Sequence, residues 1–181
     1  MKRTAVQRAA FLLLAGALLV SALAWPSAPL DAGTVVTEDL DVVSGRENWL
    51  RFYQAAQAGR PASVHFTSWF LADEWRPEDV VYEETLVFDG KVYTISGQSG
   101  SHRYRCPGDA EYRYLLYFPD VPAPFPSTTY ASATHYVLAD DDMLTWDDIW
   151  RSMISSSTKD RVRYNIVYSE YNWREGMAPQ H

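Results

Sequence analysis

The chain has 181 residues, 47% hydrophobic and 22% charged, which suits one globular domain plus a targeting segment. Its net charge of −7, more negative still without Lys2, Arg3 and Arg8, argues against nucleic acid as a partner, because that needs a basic footprint. The single cysteine, Cys106, excludes an intrachain disulfide, and its distance from the start of the chain argues against a lipid anchor there.

Residues 1–24 have the layout of a secretory signal peptide. Lys2, Arg3 and Arg8 form a basic region, residues 9–20 are an unbroken apolar run, and Ala22-Leu23-Ala24 is a small-x-small cleavage site. The run is shorter than the ~20 residues of a spanning helix. The expectation is an exported protein whose mature chain begins at Trp25. The alternative is an uncut N-terminal anchor, which would be the chain's only route to a membrane. Residues 25–37, with Pro26, Pro29 and Gly33, read as a linker. The folded domain is then expected over 38–172.

Residues 44–59 predict a helix. Ser44 and Glu47 fit a capping box, while Trp49, Leu50, Phe52, Tyr53 and Ala56 supply an apolar stripe. Gly59 suits the left-handed position after the last turn, and Pro61 blocks continuation. Residues 63–71 predict a strand, and 73–79 a charged turn containing Pro77. Residues 80–97 read as a hairpin around Asp89-Gly90, a pair suited to a two-residue turn. That turn would set Phe88 opposite Lys91, Leu86 opposite Tyr93 and Glu84 opposite Ile95. It would gather Leu86, Phe88, Tyr93 and Ile95 on one face.

Residues 96–108 form a polar, glycine-rich loop, and 112–118 a strand. Pro119, Pro122, Pro124 and Pro126 then mark an extended loop. A short strand follows at 134–139. Thr145 caps a second helix over 146–154, with Asp147 and Asp148 in its first turn and Trp146, Ile149, Trp150 and Met153 on its inner face. A last strand covers 162–168, and 173–181 read as a frayed tail. Strands joined by short or irregular links predict an α+β fold, an antiparallel sheet of about five to six strands with two helices packed on it.

Four segments carry a family resemblance: DVVSGRENWLRFYQAAQAGRPASVHF, LVFDGKVYTI, TWDDIWRSMISS and YNIVYSEY. They are similar to a family of small exported proteins of Bacillus- and Clostridium-type bacteria, catalogued only as a domain of unknown function. The resemblance implies export and an α+β fold, and it carries over no catalytic residue. Such proteins often hold paired cysteines, whereas this chain has only Cys106.

The chemistry-bearing residues form no complete constellation. Gly97-Gln98-Ser99-Gly100-Ser101 resembles a serine-nucleophile loop, but His65, His102 and His135 stand in no triad context. Asp140, Asp141, Asp142, Asp147 and Asp148 lack the spacing and the glycine of an EF-hand loop. His65 and His135, even with His102 and Cys106, give only a conceivable zinc set. Glu83 and Glu84 adjoin in a strand and must point to opposite faces. No cofactor and no metal is therefore expected. The reading that remains is a non-catalytic module binding a small ligand, a glycan or an envelope protein, with a small cell-envelope hydrolase as the alternative. Trp49, Trp146 and Trp150 belong on inner helix faces, and Trp69 can face either way. Trp75, between Glu74 and Arg76, meets no packing pattern and is the expected contact residue, with loop 99–104 as its neighbour.

Overall fold

A computed structural model describes residues 28–72, 77–99, 109–126 and 128–177. The expected signal segment lies outside the described residues. Among the described residues, no helix is long and apolar enough to cross a membrane.

The fold is α+β, with two sheets rather than the single antiparallel one expected. Strands β1 (Leu30–Glu38), β2 (Asp41–Ser44), β3 (Ala62–Phe70), β4 (Val80–Phe88), β5 (Tyr93–Ser99) and β6 (Ala110–Tyr112) form a six-stranded sheet in the order β2-β1-β3-β4-β5-β6. Strands β7 (Tyr114–Pro122), β8 (Tyr130–Ala139) and β9 (Tyr164–Trp173) form a second sheet in the order β7-β8-β9. The first sheet is mixed: β1 runs parallel to β3, and helix α1 (Arg46–Gln57) lies in the connection between them. Arg113 is the point where the chain leaves one sheet for the other, and its N–H donates to the Ala139 carbonyl 3.1 Å away.

Most of β1 occupies the stretch expected to be a linker. Its apolar content is low because only Ala32 and Val35 are buried. Their odd spacing is reconciled with a single inner face by a register shift between Asp31 and Thr34, where Gly33 takes φ 96°. The start of α1 also differs from the expectation. Ser44 ends β2, and the cap position belongs to Gly45 at φ 77°, with no side-chain cap bond. A Cβ at Gly45 would collide with the Thr34 carbonyl oxygen. The end of α1 is as read: Gly59 N–H donates to Ala56 and Arg60 N–H to Ala55, the paired bonds of a Schellman motif.

The β4–β5 hairpin pairs Phe88 with Tyr93, Leu86 with Ile95 and Glu84 with Gly97, two residues away from the expected register. The loop therefore runs from Asp89 to Val92. Asp89 Oδ1 accepts from the Lys91 and Val92 N–H groups at 2.8 and 2.9 Å, and only Gly90 has a positive φ. A shift of two preserves parity, so Leu86, Phe88, Tyr93 and Ile95 still share the buried face.

Later segments are more strand-rich than their prolines suggested. β7 runs on to Pro122 through a register shift between Phe118 and Val121, where Asp120 takes φ 48°. β9 extends to Trp173, whose Nε1 donates to Asp41 Oδ1 at 3.3 Å, so the expected frayed tail begins as paired strand. Helix α2 (Trp146–Ile154) has the expected Thr145 cap, and Asp148 also bonds back to Thr145, which completes a capping box.

Trp49 sits where α1 and both sheets meet. Its fully buried indole lies 5.9 Å from the Phe66 ring of the first sheet. It lies 4.9 and 4.7 Å from the Tyr136 and Tyr168 rings of the second. One core cluster joins these groups with Phe52, Val64, Leu86 and Leu138. Helix α2 packs on the far face of the second sheet, where Trp146 stacks on His135 at 4.2 Å. Of its expected inner face only Ile149 is buried; Met153 is exposed.

Candidate functional site

Alternation along β3 and β4 turns one side of the first sheet away from the core. Val64, Phe66 and Leu86 point inward, so His65, Thr67, Trp69, Glu83 and Thr85 point outward. The register then builds rows across neighbouring strands. Thr34, His65, Thr85 and Ser96 form one row over four strands. Val36, Thr67 and Glu83 form the next, and Glu38, Trp69 and Val81 the third.

A groove of about 500 Å³ runs over this face, lined by Thr34, His65, Thr67, Glu83, Thr85 and Ser96. Asp109 stands among its other lining residues. Within it, His65 Nδ1 and Thr85 Oγ1 lie 3.0 Å apart. Trp69 is two residues along β3 from Thr67 and keeps 41% of its surface exposed. From His65 to Trp69 the strand rises by about 13 Å, four residues at the usual strand spacing. The face thus combines hydroxyls, an imidazole and carboxylates with one exposed indole. It offers hydrogen bonds in a plane and an apolar ring surface at one end.

The structure separates the other groups singled out from the sequence. Trp75, His102, Ser101 and Cys106 lie outside the described residues, as does nearly all of loop 99–104. His65 and His135 belong to different sheets: His65 is exposed on the outer face, while His135 is buried under α2. Their separation removes the two-histidine zinc set. Four of the five aspartates have separate roles. Asp140 pairs with Arg163, Asp147 with Arg151, Asp148 closes the α2 cap, and Asp141 accepts from the Met143 N–H. Among the described residues, no group of three or more histidine, cysteine, aspartate or glutamate side chains could hold a metal ion.

Trp146 and Trp150, expected in the core, are half-buried. Trp146 packs on Phe118 of the edge strand β7, and Trp150 on Phe125 in the connection that follows it. Glu83 and Glu84 diverge as expected, Glu83 outward and Glu84 toward the core side. Burial raises the Glu84 carboxyl above its ordinary range. The outer row was not assembled from the sequence. Its signal was the alternation of Thr, His and Glu with apolar residues in 63–70 and 80–88, which needs the cross-strand register to become a surface.

No protein-family model, curated protein or solved structure matches the chain.

Proposed function

We propose that this is an exported, non-catalytic binding domain, and that the outer face of its six-stranded sheet takes a polar ligand of the glycan class. The signal-like layout of residues 1–24 supports export. The observation that carries the binding reading is the exposed Trp69 indole, placed on one strand face with Thr67 and His65 and flanked by rows of hydroxyl and carboxylate side chains. Sugars present apolar ring faces and equatorial hydroxyls together, so an indole beside a planar array of donors and acceptors complements both. A flat, open groove suits an extended chain of rings better than a compact metabolite, which would need enclosure.

A hydrolase of the cell envelope is the second reading, favoured by the 3.0 Å contact of His65 Nδ1 with Thr85 Oγ1 in the same groove. One experiment separates the two. The protein is titrated calorimetrically with a panel of soluble oligosaccharides, and the same mixtures are assayed for new reducing ends. Binding by the wild type, lost by about tenfold or more in Trp69→Ala, with no new reducing ends, is the expected result. Equal binding by Trp69→Ala removes the proposal for this face, and turnover abolished by His65→Ala establishes the hydrolase.

A further inference from the structure

A second concave surface lies between the two sheets, on the opposite side of the first sheet from the groove. It is a cleft of about 320 Å³ between the inner face of β3–β4 and the edge strand β9. Phe66, Phe70, Tyr168 and Tyr171 line it, together with Ser68 and Glu84. The volume falls within the range of small-molecule sites, and the mixture of several aromatic groups with one ionisable group is their usual chemistry.

Glu84 reaches this position through register. It pairs with Phe66 on β3 and with Gly97 on β5, so it belongs to the inner face of the sheet. No lysine, arginine or histidine among the described residues lines the cleft. No hydrogen bond or ion pair engages the Glu84 carboxyl among the described residues, and desolvation alone pushes it upward. The neighbouring acid differs. Glu170 is held by a bidentate pair with Arg46, at 2.8 and 3.0 Å, and also accepts from the Tyr168 hydroxyl at 2.9 Å. Its charge is matched, and the Tyr168 ring is fixed in place. Among the described residues, the cleft therefore contains one carboxyl with no counter-charge, beside aromatic rings.

We propose that this cleft binds a small organic cation, an alkyl- or arylammonium, with Glu84 as its counter-ion and the Phe66, Phe70 and Tyr168 rings around its apolar body. An unbalanced carboxylate in a partly dehydrated site is costly, and a cation restores its charged form. Aromatic faces attract the same cation through their quadrupoles. A neutral ligand of equal size satisfies the rings and leaves the carboxyl unmatched, while an anion is repelled by it. Charge thus selects the ligand class, and the cleft's walls limit its size.

The test is a titration of the uniformly ¹⁵N-labelled protein with 2-phenylethylammonium, followed by amide shifts, with 2-phenylethanol as the neutral control. Saturable shifts centred on residues 66–70, 84 and 166–171 are expected, with the alcohol binding about tenfold or more weakly. Glu84→Gln should lose the preference for the amine while keeping its fold, because it removes only an unpaired carboxyl. Ser68→Leu, which fills the cleft and leaves Glu84 in place, should abolish both titrations. If one variant fails to fold, the other decides; if both fail, the amine-to-alcohol ratio on the wild type decides. No saturation with the amine, equal affinity for the alcohol, unchanged amine affinity in Glu84→Gln, or shifts confined to the Trp69 face would each overturn the proposal.

Discussion

Mild acid is expected to destabilise the fold through His135. The imidazole is 6% exposed, stacked on Trp146 with ring planes 3° apart, and its Nδ1 lies 2.8 Å from Ser169 Oγ. Tyr171 packs edge-on at 6.1 Å. The nearest acids of α2 are already engaged, Asp147 by Arg151 and Asp148 by the Thr145 cap. Burial pushes the imidazole down from 6.5 to about 4. The unfolded chain therefore binds the proton that the folded chain refuses. Stability is complete above the unfolded value and falls as pH drops through the window from 6.5 to about 4. The loss is about 2 kcal/mol near pH 5 and approaches roughly 3 kcal/mol below the folded value.

The assay is urea unfolding of the wild type and of His135→Phe, each at about pH 7.5 and about pH 5. Phenylalanine keeps a flat ring against Trp146 and does not titrate. It costs about 1 kcal/mol at the higher pH through the lost hydrogen bond to Ser169. The wild type should then lose about 2 kcal/mol more than the variant on acidification. Glu84, raised in the fold, works in the opposite sense, gaining stability as pH falls, but it is common to both proteins and cancels in the comparison. Parallel acid losses in the two proteins would refute the argument that His135 is held neutral by burial.

Two further substitutions test the backbone devices that place the elements. Gly45→Ala should destabilise the domain by more than about 2 kcal/mol in urea unfolding, since it adds a Cβ against the Thr34 carbonyl to a positive φ. Thr145→Ala should cost about 1 kcal/mol, read as a lowered melting temperature, because it removes one half of the α2 capping box.

Local chemistry was legible wherever a few adjacent residues decide the outcome. Thr145 with Asp148 marks the start of α2, and Gly59 before Pro61 marks the end of α1. The hairpin face survived an error in loop length because slipping by two residues leaves every side chain on its own side. What could not be read depends on partners far along the chain. β1 is a strand because β3 lies parallel beside it, and its two buried residues straddle a bulge, so its own periodicity carries little signal. Ser44 resembled a cap, but pairing with β1 holds it in strand and passes the position to Gly45. The outer face has the same origin. Thr34, His65, Thr85 and Ser96 become neighbours only through three separate strand registers.

The meeting of the two sheets at Trp49 also sets an order of events in folding. The indole is surrounded in part by Phe52 and Phe66, which are near it in sequence, and in part by Tyr136 and Tyr168, which are not. The ties that hold β9 against the first elements span 124 residues from Arg46 to Glu170 and 132 from Asp41 to Trp173. Such long loops must close before their contacts contribute, which slows folding relative to a locally connected fold. A chain emerging from the N-terminal end can form α1 and the β3–β4–β5 meander early. It cannot seal the indole until Tyr136 and Tyr168 are available, so the closure of this aromatic cluster waits for the second sheet.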